Sequence, residues 1–127
     1  TQEVYYENGS LSTEATFIDN LENGTEKSYY ENGQLEDEIP YSDGKKNGVE
    51  NDYYENGKLQ SQYNYTNGNR NGIEKEYYEN GQLKDEIPFT NDTKNGIQRD
   101  YFENGKLKDA IPYNDGIETS LILKRIK

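Results

Sequence analysis

A seven-residue motif recurs along this chain at intervals of 24 residues without a slip: YYENGSL at Tyr5, YYENGQL at Tyr29, YYENGKL at Tyr53, YYENGQL at Tyr77 and YFENGKL at Tyr101. A second element lies between the copies, YSDGKKNGVE from Tyr41, YTNGNRNGIE from Tyr65 and FTNDTKNGIQ from Phe89, with a looser version from Phe17. A fixed period of this size constrains the fold more than any other feature, because a unit too small to bury its own apolar face can do so only by stacking on its neighbours. The chain reads as a single repeat array over 1–127, with copies starting at 5, 29, 53, 77 and 101. A half-unit at 113–127, carrying the aliphatic Leu121 and Leu123, reads as a terminal cap.

Asn-Gly flanked by aromatic and branched residues signals hairpins, and Gly, Pro, Asn and Asp gather at the joints. The fold class that follows is all-β: an elongated, twisted antiparallel sheet of about ten strands, built from 24-residue β-hairpin repeats. A two-residue Asn80-Gly81 turn would set Glu74 against Ile87. A three-residue loop, Glu79-Asn80-Gly81 with a left-handed glycine, instead sets Tyr77 against Leu83, Lys75 against Asp85 and Ile73 against Ile87. The same register pairs Lys27 with Asp37, Val49 with Tyr63, Asn51 with Ser61, Arg99 with Asp109 and Ile97 with Ile111. Gly9, Gly33, Gly57, Gly81 and Gly105 are then structural turn residues. The YSDGKKNGVE element reads as a seven-residue connection, shortened in the last copy to Asn114-Asp115-Gly116.

Because the period is even and the loops are odd, this register gathers odd-numbered residues on one apolar face, Phe17, Tyr41, Tyr65, Phe89 and Tyr113 among them. The opposite-sign pairs on it read as cross-strand supports. The even-numbered face carries Glu74, Glu76, Lys84 and Glu86 and reads as solvated. It also carries one aromatic per copy, Tyr6, Tyr30, Tyr54, Tyr78 and Phe102, a stripe at roughly 10 Å intervals. Two readings of that stripe stay open: packing beside the turn, or a ladder of contacts for a partner. A lone sheet would leave its apolar face wet, so the expectation is that twist curls this face into a groove, or that a second copy or another protein covers it.

Composition limits the function classes. Leu, Ile, Val and Phe make only 22 of 127 residues at a net charge of −11, a balance that signals disorder unless the repeat and the 13 Tyr override it. With no Cys and no His, disulfides, thiol nucleophiles, the usual zinc sites and histidine acid–base chemistry are excluded. Carboxylates remain, but Glu74, Glu76 and Glu86 recur in rows rather than as a unique pair. The reading is therefore no enzyme, no cofactor and no metal, since SDGKKNG and NDGIE lack a complete EF-hand loop. The acidity disfavours nucleic acid and anionic membranes as partners. No apolar run reaches the ~20 residues of a spanning helix. Starting at Thr1 and lacking Met, the chain reads as a processed protein or a piece of a longer one, with an exported or cell-surface location favoured over the cytoplasm. Lys124, Arg125 and Lys127 read as a solubilising tail, and the glycosylation patterns at Asn8 and Asn23 as by-products of the turn code.

NGIEKEYYENGQLKDEIPF, from Asn71 to Phe89, resembles the bacterial variant of the MORN repeat, the membrane occupation and recognition nexus. Bacterial proteins of that type are often labelled antitoxin components of toxin–antitoxin systems. The resemblance covers all five copies and implies a row of antiparallel hairpins that acts as a scaffold for protein, and sometimes lipid, contacts without catalysis. It makes Gly72, Tyr77, Tyr78, Asn80 and Gly81 structural positions. Where the usual repeat has Trp or Phe and more glycine, these copies have Tyr77-Tyr78 and Glu-Lys-Glu. YYENGQL is also similar to the aromatic hairpin repeats that bind choline or glucan in cell walls through Trp cages. This chain has no Trp, which leaves carbohydrate stacking on Tyr as the alternative reading. The leading expectation is a non-enzymatic interaction module holding a protein partner, self-association included. Its forms are an antitoxin-like acidic cover for a basic toxin, or a surface or host-contact protein.

Overall fold

A computed structural model describes residues 1–119, so Leu121, Leu123 and the basic tail of the expected cap lie outside the described residues. In chain order the strands are β1 (Gln2–Tyr5), β2 (Leu11–Ala15), β3 (Phe17–Ile18), β4 (Leu21–Glu22), β5 (Gly24–Tyr29), β6 (Leu35–Ser42), β7 (Lys45–Lys46), β8 (Gly48–Tyr53), β9 (Leu59–Thr66), β10 (Asn69–Arg70), β11 (Gly72–Tyr77), β12 (Leu83–Thr90), β13 (Thr93–Lys94), β14 (Gly96–Tyr101), β15 (Leu107–Asn114) and β16 (Ile117–Glu118). One sheet runs β1-β2-β5-β6-β8-β9-β11-β12-β14-β15-β16, with β7, β10 and β13 beside the ends of β6, β9 and β12. All of its pairings are antiparallel and join neighbours in sequence, so the protein is all-β, a row of consecutive hairpins. The hairpin β3–β4 stands apart as the first copy's version of the short-strand element.

Two turns alternate along one copy. At the motif, Gly81 N–H donates to the Tyr78 carbonyl at 2.9 Å and Tyr78 N–H to the Gln82 carbonyl at 2.9 Å, with Gly81 at φ +90°. That is a three-residue loop closed by a left-handed glycine, and it pairs Tyr77 with Leu83. The second element is not the seven-residue connection its sequence implied. Ser42 pairs with Lys45 across Asp43 (φ +48°) and Gly44 (φ +81°), a two-residue turn with both residues left-handed. Asn67-Gly68, Asn91-Asp92 and Asp115-Gly116 repeat it, so the last copy keeps this turn unshortened and its four-residue deletion falls elsewhere. Asp and Asn tolerate the left-handed region, which is why the element can use them there.

The expected register fails one step beyond the motif. After Tyr77–Leu83, Lys84 bulges out, and the pairs become Glu76–Asp85, Lys75–Glu86, Glu74–Ile87 and Ile73–Pro88. The same bulge gives Ser28–Asp37, Asp52–Ser61 and Asp100–Asp109 in place of the expected Lys27–Asp37, Asn51–Ser61 and Arg99–Asp109. Val49 now faces Asn64 and Ile97 faces Pro112, rather than Tyr63 and Ile111. A one-residue slip exchanges faces. Even-numbered Glu74 and Glu76 of β11 therefore share a face with odd-numbered Asp85, Ile87 and Phe89 of β12, and no all-odd apolar face exists. Val49, Ile73 and Ile97 lie exposed at 44–45%, while Glu50 and Glu74 are buried at 7% and 8%.

Candidate functional site

The face that holds Glu50 and Glu74 is built from four rows, each crossing the sheet from copy to copy. The first stacks an aromatic ring against a glycine: Tyr41 on Gly24, Tyr65 on Gly48, Phe89 on Gly72 and Tyr113 on Gly96. A cation from the short strand covers each later ring, with Lys46 4.9 Å from the centre of Tyr65, Arg70 4.2 Å from Phe89 and Lys94 4.8 Å from Tyr113. The same cations reach the second row, where Lys46 Nζ lies 2.8 Å from Glu50 Oε1 and Arg70 Nη1 3.2 Å from Glu74 Oε2. Lys94 donates to Gln98 Oε1 at 3.2 Å. The first copy breaks this pattern, because Glu22 stands where the others have a cation. Burial, then a hydrogen bond and repulsion from Glu26, push its carboxyl up to about 7.

The third row carries the acids. Cross-strand pairing links Thr13, Ser28, Asp37, Asp52, Ser61, Glu76, Asp85, Asp100 and Asp109 in one file across the sheet. Four of these pairs, Asp37–Asp52, Glu76–Asp85, Asp85–Asp100 and Asp100–Asp109, set like charges directly opposite each other, an arrangement that costs stability. Burial is the first cause that raises Asp52 to about 7, followed by a hydrogen bond with Glu50 and the charges of Glu50 and Asp37. Asp85 is raised to about 7 by burial and then by Glu76 and Asp100. Burial also raises Asp37, against an opposing hydrogen bond from Ser28. One oxygen each of Asp37, Asp52 and Asp85 is sealed from solvent without a hydrogen-bond partner.

The opposite face balances its charges. There the file runs Glu14, Lys27, Glu38, Asn51, Gln62, Lys75, Glu86, Arg99 and Ala110, so the complementary pairs are Glu14–Lys27, Lys27–Glu38, Lys75–Glu86 and Glu86–Arg99. Tyr29, Tyr53 and Tyr101 add phenol hydrogen bonds to Glu14, Glu38 and Glu86 at 3.1, 2.7 and 2.9 Å.

The aromatic stripe forms the fourth row. Tyr6 donates its hydroxyl to the Tyr29 carbonyl at 2.5 Å, Tyr30 to Tyr53 at 2.5 Å, Tyr54 to Tyr77 at 2.6 Å and Tyr78 to Tyr101 at 2.7 Å. Each phenol thus ties its copy to the next. Phe102, in the fifth copy, has no hydroxyl to offer and lies 49% exposed. The glycines at the motif turns, Gly9, Gly33, Gly57, Gly81 and Gly105, all lie at φ between +87° and +90°. Among the described residues no group of three or more acids is arranged to hold a metal ion, and no helix is long and apolar enough to cross a membrane.

Sequence reasoning missed the acid file, since it placed Asp37 and Asp85 opposite lysines. The usable signal was the bulge, which nothing in the motif announces. Comparison with curated proteins gives no match. The family model described as the MORN repeat variant matches five consecutive segments, residues 1–19, 22–43, 46–67, 70–91 and 94–115. Those segments recur at the hairpin period, the last four opening at Glu22, Lys46, Arg70 and Lys94, of which the three cations cap an aromatic–glycine pair. The chain belongs to the MORN repeat variant family.

Proposed function

We propose that this protein is a non-enzymatic repeat scaffold whose acidic face holds a basic protein partner. MORN repeats are consistent with a scaffold for protein or membrane interaction. The choice of a basic protein rests on one observation: a file of acids, the half-buried Asp37, Asp52, Glu76, Asp85 and Asp100 and the exposed Asp109, crosses one face with no lysine or arginine in it. Such a surface speeds association with a cationic partner and repels anionic lipid and nucleic acid. An antitoxin-like role, an acidic sheet covering the basic face of a toxin, is the specific form that this charge fits best.

The test is capture with the wild-type chain and with a variant carrying Asp37→Asn, Asp85→Asn and Asp100→Asn. Basic proteins retained by the wild type, released by raising salt to ~0.5 M and lost in the variant, are the expected result. Retention indifferent to both salt and variant, or binding to phosphatidylserine vesicles in place of protein, overturns the reading.

A further inference from the structure

The five copies are not equivalent on the acidic face. Copies two, four and five carry Asp-Glu-Ile-Pro or Asp-Ala-Ile-Pro at 37–40, 85–88 and 109–112, whereas the third carries Ser61-Gln62-Tyr63-Asn64. Asn64 keeps a structural role there, donating to the Ile73 carbonyl at 2.7 Å. Ser61 and Tyr63 depart from the other copies together, the Tyr63 side chain hydrogen-bonding Ser61 and its ring lying 6.5 Å from that of Tyr65. Ser61 is 5% exposed and interrupts the acid file between Asp52 and Glu76, where a carboxylate would otherwise stand. The smaller side chain leaves a cleft of about 200 Å³, lined by Asp52, Tyr54, Gln60, Ser61, Tyr63 and Glu76, with Lys84 reaching it from the next hairpin.

We propose that this cleft receives a lysine or arginine side chain of a basic peptide. The inference rests on the basic-partner reading above and gives it a location. Asp52 and Glu76 sit on strands either side of β9, roughly 10 Å apart by strand spacing, so a cation entering over Ser61 meets a carboxylate on each side. The carboxylates of Asp52 and Glu76, both lining the cleft, supply acceptors. The aromatic rings of Tyr54 and Tyr63 supply walls that attract a cation. Among the described residues neither Asp52 nor Glu76 makes an ion pair. Lys84 lies 5.8 Å from the centre of the Tyr78 ring.

Proton release couples to this binding. Asp52 faces Asp37 from β6 and Ser61 from β9, has Glu50 on its own strand and feels Lys46 from β7; Glu76 of β11 lies beyond Ser61, and Tyr63 and Lys84 line the same cleft. With its carboxyl raised to about 7, a bound cation favours the ionised form, and affinity increases from pH 6 to pH 8.

The test is a nuclear magnetic resonance titration with the peptide acetyl-GRGRGRG-amide, on the wild type and on Ser61→Asp and Tyr63→Ile. Both substitutions restore residues that the other copies carry, so both folds are expected to persist. The expected result is a shift pattern centred on Tyr54, Gln60, Ser61 and Glu76, with at least tenfold weaker binding in both variants, and weaker binding of the wild type at pH 6 than at pH 8. Ser61→Asp adds negative charge, so attraction by the whole face alone would leave its affinity equal or higher. That outcome, or shifts spread evenly over the five copies, overturns the cleft while sparing the basic-partner reading. Absence of binding by all three proteins overturns both.

Discussion

The hydroxyl of Tyr54 donates to the backbone carbonyl of Tyr77, 23 residues on, at 2.6 Å. A side chain of one copy thereby satisfies the main chain of the next, at the point where the motif turn would otherwise be free to splay. Replacing Tyr54 by Phe is expected to cost about 0.5–1.5 kcal/mol, the net value of one hydrogen bond. Urea unfolding of the wild type and the variant measures the difference.

The crowded acids of this face are expected to make the protein more stable in mild acid than in mild base. Glu22, Asp52 and Asp85 are held up to about 7 in the folded chain, above the ~4 of an unfolded carboxyl. As pH falls from about 8 towards 5, the folded state binds protons that the unfolded state does not, and the like-charge pairs relax. The melting temperature is therefore expected to be higher at pH 5.5 than at pH 8, levelling off towards pH 4. Asp52→Asn combined with Asp85→Asn should flatten the rise, as thermal melts across that range will show.

Hairpins, copy number and the left-handed motif glycine were legible from the sequence because each rests on local chemistry repeated five times. The register was not, and the reason is specific. Acids stand side by side at Glu36, Asp37 and Glu38 and at Asp85 and Glu86, so Lys27 and Lys75 find an opposite charge in either of two registers one residue apart. Charge pairing cannot separate them. What does is the bulge at Lys84, which sets Phe89 against Gly72 and lets Arg70 cap the ring. The aromatic of each copy is visible in the motif, but the phenol bonds depend on the distance between copies, which no single hairpin encodes. The third copy's departure at Ser61 was visible, yet in the assumed register it faced Asn51 and seemed only to remove a pair of charges together.

Lys46 and Glu50 form the best-buried ion pair of the sheet. Lys46→Met is expected to destabilise by about 1–3 kcal/mol, because Glu50, 7% exposed, loses the cation that offsets its burial. Adding Glu50→Gln should recover most of the loss. The fourth copy supplies an internal control: Lys94 faces neutral Gln98, so Lys94→Met should cost less than Lys46→Met. Denaturant midpoints of the three variants and the wild type form the comparison.

Two glycines separate backbone strain from crowding. Gly81 lies at φ +90° with nothing within 4 Å of where a Cβ would sit, so Gly81→Ala meets only the intrinsic cost of a left-handed alanine, about 1–2 kcal/mol. Gly48 lies at φ +120°, and a Cβ there would fall 3.0 Å from Pro40 Cγ. Gly48→Ala therefore carries a backbone cost at φ +120° plus a clash against a rigid ring on the neighbouring strand, and is expected to be the more damaging by ~1 kcal/mol or more. Pro40→Ala removes the ring. In the double variant the clash part should vanish while the backbone part persists, so Gly48→Ala should cost less there than in the presence of Pro40. A double-mutant cycle read by urea unfolding tests this. If Gly48→Ala costs no more than Gly81→Ala in the presence of Pro40, the close approach of β6 to β8 at this corner is wrong.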